Sequence, residues 1–254
     1  MFERIMLRDL ILRKDVKALI STSDLLSTLL PKHNSETEDE LKITHTVGDI
    51  VHKAVFELTK YKHPPNPRKY GGMAFGKLFA EDIEQAKSVA EIVEKMVELV
   101  NKKLTGMGHL SFPSLRGVKV GSTIVLSMPD AIITTPDGKK YVYELKTMAK
   151  RGVIMEKAVY QALIQRVAHP EYSGVILHTI YYNTTTGSIK DETFVIKNMS
   201  PQLVMKVINL VKRYRGRTFE IRAISRTEEV TIVDAHALLD SLQRRTPRAE
   251  QANT

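Results

Sequence analysis

Two rhythms of apolar residues alternate along the chain, and they divide it into helical and extended stretches. Helical spacing appears first, at Val51, Val55 and Leu58, in a helix that Thr44 or Thr46 could cap and that runs to about Tyr61. It returns from Leu78 to Leu104, where Ile83, Val89, Ile92, Val93, Met96, Val97 and Val100 are separated by Glu and Lys, the pattern of a long amphipathic helix. After Gly106 the period shortens to two. Val118, Val120, Ile124 and Leu126, then Ala131 to Thr134, then Lys139 to Met148 predict a three-strand meander with a turn at Thr135 to Gly138 that Asp137 closes. A helix is predicted over Glu156 to Ala168, followed by a hairpin of Gly174 to Tyr182 and Ser188 to Lys197 around Asn183 to Gly187. Ser200-Pro201 then opens a helix to about Tyr214.

The remaining stretches are read from their caps and breakers. Met1 to Lys14 reads as a helix of the fold, and Ser21-Thr22-Ser23-Asp24 as the start of a helix ending by Pro31. The polar stretch from His33 to Glu40 reads as a loop. His63-Pro64-Pro65-Asn66-Pro67 and the Gly71-Gly72 pair make Tyr61 to Phe75 the expected mobile, basic loop. Thr218 to Arg244 is expected to add a short strand and a terminal helix. These elements predict an α/β fold with a mixed central sheet flanked by helices. One domain over 1–245 is expected, with a helical N-terminal part over about 1–105, a core over about 106–200, a C-terminal helical part over about 201–245, and a frayed tail over 246–254.

Composition narrows the function. With 43% hydrophobic residues among 254 the chain can build a core, and no apolar run approaches the roughly 20 residues a membrane span requires. Charged residues interrupt Met1 to Lys14, so it does not resemble a signal peptide, and an intracellular, cytoplasmic location is expected. The absence of cysteine excludes disulfides, thiolate zinc sites, cysteine-ligated iron-sulfur clusters and a cysteine nucleophile. A formal charge of +9 favours a polyanionic partner, with nucleic acid the first candidate.

The chemistry concentrates between Met128 and Thr147. In a strand, Glu144 and Lys146 share one face while Tyr143, Leu145 and Thr147 take the other, and the hairpin brings Asp130 beside Glu144. Two carboxylates and a lysine suit divalent-metal hydrolysis of a phosphodiester. His52 lies one helical turn after Gly48, which allows another segment to approach closely, and Gln161 and Gln165 sit on the helix that follows the meander. Each feature alone has an ordinary reading: Glu-x-Lys as alternating charge on a wet strand, Asp130 as a turn residue after Pro129, His52 as a partly buried helix histidine. The order of all four elements carries the weight.

That order, Gly48-x-x-x-His52, then Asp130, then Glu144-x-Lys146, then a helix bearing Gln161, resembles the RecB-type branch of the PD-(D/E)xK nuclease superfamily. Ile20 to Ser27, followed by Leu30-Pro31-Lys32, is similar to the start of the CRISPR-associated RecB-like exonucleases. Those usually carry a cysteine where Leu30 stands here, and the other cluster cysteines are missing too, so a relative without an iron-sulfur cluster is expected. The resemblance implies a restriction-endonuclease-like core, Asp130 and Glu144 as ligands of Mg2+ or Mn2+, His52 as a further ligand, Lys146 as the residue that orients water and offsets phosphate charge, and Gln161 at the site. The family usually has tyrosine where Gln165 stands, although Tyr160 could supply a ring nearby. Its most common form is an exonuclease acting on single strands or duplex ends. A structure-specific endonuclease and a non-catalytic nuclease-fold module that binds DNA or protein remain alternatives, and oligomeric state, a homo-oligomer included, is left open.

Two basic stretches could guide DNA: Lys53, Lys60, Lys62, Arg68 and Lys69 around the proline-rich segment, and Lys206, Lys212, Arg213, Arg215 and Arg217 further on. Tyr70 and Phe75, beside the first, could stack on unpaired bases.

Overall fold

The computed structural model describes residues 3–6, 18–30, 37–80, 82–149, 153–214 and 229–234. In chain order the strands are β1 (Glu3–Met6), β2 (Ala18–Ser21), β3 (His109–Ser111), β4 (Arg116–Val120), β5 (Thr123–Ser127), β6 (Ala131–Thr134), β7 (Lys140–Met148), β8 (Gly174–Tyr182), β9 (Ile189–Ile196) and β10 (Glu229–Asp234). The helices are α1 (Thr22–Leu29), α2 (Glu38–Tyr61), α3 (Pro67–Leu78), α4 (Ile83–Met107), α5 (Val153–Ala168) and α6 (Pro201–Arg213). The protein is α/β, with mixed sheets flanked by helices and a helical N-terminal part.

The expected meander is divided between two five-stranded sheets. One has the order β1-β10-β4-β5-β2 and the other β3-β6-β7-β8-β9. The stretch read as one strand, Val118 to Leu126, folds back on itself at Gly121-Ser122, where Gly121 takes a positive φ of 61° that suits a two-residue hairpin. Pro129, which lacks a backbone N–H for a ladder, stands between β5 of the first sheet and β6 of the second. In the second sheet β6 and β7 are antiparallel, and β7 and β8 are parallel with α5 as the crossover.

Both faces of the second sheet are covered. Ala131, Ile133, Tyr143, Leu145 and Ile180 join one core with Val47, Val51 and Val55 of α2 and Ile92 and Met96 of α4. Ile132, Val142, Val175 and Leu177 face the other way, against Ala158 and Ala162 of α5. Leu163, Ile164 and Val167 of α5 enter a third cluster with Val118, Val120 and Val125 of the first sheet, Leu25 and Leu26 of α1, and Val207 and Val211 of α6. Helix α5 is thus packed between the sheets, and its polar residues are placed by apolar neighbours on both sides.

Several boundaries differ from the sequence expectations. Helix α2 starts at Glu38, well before Thr44, because Thr37 and Glu40 form a reciprocal capping box. The expected loop between Tyr61 and Phe75 is mostly helix α3: Asn66 caps it, Pro67 occupies its first turn, and Gly71 packs against Glu94 where a methyl group would overlap. Residues Glu3 to Met6, expected to be helical, form a strand paired with β10. The expected short strand of the C-terminal part is β10. The terminal helix, the tail at 246–254, Arg215 and Arg217 lie outside the described residues, as do 7–17 and the first half, 33–36, of the loop expected at His33 to Glu40.

Candidate active site

Asp130 sits just before β6 and is held from three directions. Its backbone N–H donates to the Tyr143 carbonyl at 3.1 Å, and its Oδ2 accepts from the Leu145 N–H at 2.7 Å. Its Oδ1 accepts from His52 Nδ1 at 2.8 Å. Since Ala131 pairs with Tyr143, Asp130 falls opposite Glu144 on the adjacent strand. Alternation along β7 sends Tyr143 and Leu145 into the core beneath α2, while Glu144 and Lys146 project from the opposite face.

Glu144 is only 1% exposed, and its carboxylate is heavily partnered. Lys146 Nζ lies 2.7 Å from Oε1, the Gln161 amide donates to the same oxygen, and the Gln165 amide donates to Oε2. Two amides spaced i and i+4 on α5 therefore clamp one carboxylate from a single helix face. A buried charge with fewer partners would be costly.

Ionisation couples the two halves of this cluster. Burial opposes protonation of His52, but the charge and hydrogen bond of Asp130 outweigh it and raise the imidazole above its usual range. Burial likewise opposes ionisation of Asp130, and His52, Lys146 and the Leu145 N–H more than offset it, so this carboxyl is lowered. Glu144 is raised, by burial first and also by the charge of Asp130, against the opposing pull of Lys146. Lys146 is raised because the two carboxylates overcome its burial. The structure brings His52, Asp130, Glu144 and Lys146 within mutual electrostatic range, with Gln161 in direct contact.

The donor chemistry, two carboxylates and an imidazole, suits a hard or borderline dication. As folded, however, no group of three or more His, Asp or Glu side chains among the described residues is arranged to hold a metal. Each carboxylate is engaged by protein partners, Asp130 by His52 and Glu144 by Lys146. The His52 imidazole and the Lys146 ammonium thus occupy the two carboxylates, and an entering metal would have to compete with them.

His52 and Asp130 open onto a cleft of about 440 Å³, lined also by Asp49, Lys53, Phe56, Phe112, Pro113, Met128 and Pro129. Of the basic residues expected to guide DNA, Lys53 lies in this cleft, and exposed Lys60 lies over the Phe56 ring at 5.3 Å. Lys62 is the left-handed C-cap of α2. Lys69 pairs with Glu57 at 3.2 Å, and Arg68 lines a separate cleft with Glu91, Glu94, Lys95 and Glu98. Tyr160 is partly buried against the cluster beneath α5. Tyr70, expected to stack on bases, is fully buried, and Phe75 packs on Phe79, so the ring pair that borders the site is instead Phe56 and Phe112. Lys206 is exposed on α6, while Arg213 bonds to the Leu29 carbonyl at 3.3 Å. Gln165, where the resemblance leads one to expect tyrosine, reaches Glu144 itself, and its helical spacing from Gln161 is the sequence signal for that contact. No such signal marks the Phe112 side of the cleft, which is built only by tertiary contact.

No protein-family model matches the chain, and no curated protein matches it. Among solved structures, the crystal structure of SSO0001 is similar to this chain, with 19% identity and a TM-score of 0.34, over 75% of this chain and 83% of that one.

Proposed function

We propose that the protein is a divalent-metal-dependent deoxyribonuclease of the PD-(D/E)xK class. More particularly, we read it as a RecB-type exonuclease working on single strands or duplex ends. The observation that carries the reading is the convergence of His52, Asp130, Glu144 and Lys146, scattered over the sequence, at the paired ends of β6 and β7. Asp130 and Glu144 would hold Mg2+ or Mn2+, with His52 as the nitrogen donor that favours Mn2+. When bound, the dication supplies Lewis acidity toward the phosphoryl oxygen and lowers the pKa of water. Lys146 adds positive charge where negative charge develops on the phosphate, and Gln161 and Gln165 hold Glu144 in place. His52 and the Leu145 N–H orient Asp130.

The test is degradation of labelled linear and circular DNA with Mg2+ or Mn2+, beside Asp130→Ala and Lys146→Ala. Loss of cleavage by about 100-fold or more in both variants, and in EDTA, is expected. Full activity in EDTA, or in either variant, would overturn the reading. A second reading, a nuclease-fold module that binds DNA without cutting it, draws on the engagement of both carboxylates by protein partners. Retention of DNA without cleavage in either metal would favour it.

A further inference from the structure

The side of α2 that borders the His52–Asp130 cleft carries Asp49, Lys53, Phe56 and Lys60, spaced at three or four residues so that they form one stripe, with His52 beside it. Two large rings meet beside it. Phe56 from α2 and Phe112 from the segment after β3 pack edge to face, with centroids 5.3 Å apart and planes at 87°. Each is 39% exposed, and Met128 beside them is 37% exposed. All three line the cleft that also contains His52 and Asp130. Lys60 lies over Phe56 and, at 5.5 Å, over the exposed ring of Tyr61.

Single exposed aromatic residues need no explanation, but two rings from separate elements forming a corner in one cleft do. Perpendicular rings present one flat face and one edge, a geometry that supports a planar ligand on one side and confines it on the other. Lys53 lines the same cleft, and Lys60, which lies over the Phe56 ring, would swing off that face to meet a phosphate beside a stacked base. We propose that Phe56 and Phe112 form a stacking subsite for an unpaired nucleobase of single-stranded DNA, next to the His52–Asp130 pair. The subsite rests on the nuclease reading for its substrate class. A duplex keeps its base faces stacked internally, so the subsite selects frayed or single-stranded ends.

The experiment measures binding of a fluorescently labelled oligo-dT to the full chain in EDTA, so that no cleavage is needed. The comparison ligand is an abasic oligonucleotide of equal length and charge. Parent protein is expected to prefer oligo-dT, and Phe56→Leu and Phe112→Leu, which keep apolar volume, to weaken oligo-dT binding about 5- to 150-fold with little change for the abasic strand. A terminal 2-aminopurine should be quenched by the parent and not by the variants, whose unfolding midpoints confirm that they fold. Equal binding and quenching by parent and variants overturns the inference, and the patch then belongs to another kind of contact, such as a protein. Cleavage with ring-independent binding defeats this subsite alone. Ring-dependent binding without metal-dependent cleavage defeats the nuclease reading and leaves the subsite standing.

Discussion

Glu144 and His169 show two ways of treating a buried polar side chain. Glu144 is surrounded by donors from Lys146, Gln161 and Gln165, whereas neither ring nitrogen of fully buried His169 has a hydrogen-bond partner among the described residues. Burial, then the nearby charges of Arg116 and Arg166, push the imidazole of His169 down from 6.5 to about 3. Because the folded state resists the proton and the unfolded state does not, this contribution to stability is complete above about pH 6.5 and is lost as the pH falls toward 3. Replacing His169 with Phe keeps a ring against Tyr172, which stacks on it at 5.4 Å, and removes both the unpaired polar atoms and the titration. We expect His169→Phe to raise stability by about 1 kcal/mol at neutral pH and by more at pH 5, measured by urea denaturation at both values. An unchanged acid dependence would show that His169 is not its source. His178 would contribute in the same direction, since burial lowers it to about 4, but it also bonds Tyr143 and Asp191 and is a poorer probe.

At the scale of elements, the N-terminus of α2 sets the position of His52 four turns further on. Its capping box satisfies two N–H groups of the helix start, those of Thr37 and Glu40. Thr37→Ala should cost about 1 kcal/mol in a thermal or urea melt, and a change within error would mean that packing alone holds the helix start. The long periodic helices are legible in the sequence because one face of each meets a core, so apolar spacing records the packing directly, and β7 is legible because charged Glu144 and Lys146 alternate with apolar residues although both of its faces are covered. Asp137 also behaves as the sequence suggests, accepting from Thr135 and Lys139 in the turn before β7. The boundary at Thr37 was missed because the acidic first turn lacks apolar residues, and helix α3 because its glycines look like a loop until Gly71 is seen against Glu94. The division into two sheets was hidden because strand pairing depends on partners such as β2 and β10, remote in sequence from β4 and β5. The convergence of His52, Asp130, Glu144 and Lys146 was expected from the order of the motifs. The engagement of Glu144 by Gln165 and the Phe56–Phe112 corner depend on tertiary packing, and the sequence carried little signal of either.

For the whole molecule, the excess of 38 Lys and Arg over 29 Asp and Glu gives an attraction to polyanions that any DNA contact must include. If Lys53 and Lys60 meet phosphates, replacing both with Gln should reduce the slope of log affinity against log salt by about 1.4 for a single strand. An unchanged slope in a salt series would place the phosphate path elsewhere.

Helix α5 fixes Glu144 through Gln161 and Gln165 on one side and carries Leu163, Ile164 and Val167 into the first sheet's core on the other. Excising β3 to β9 as a minimal fragment would keep the β4–β5 hairpin but strip away α1 and α6, whose Leu25, Leu26, Val207 and Val211 complete that core, leaving part of an oily flank bare to water and inviting self-association before any catalysis could be assayed. The smallest autonomous unit that preserves the carboxylate clamp is one that retains both layers.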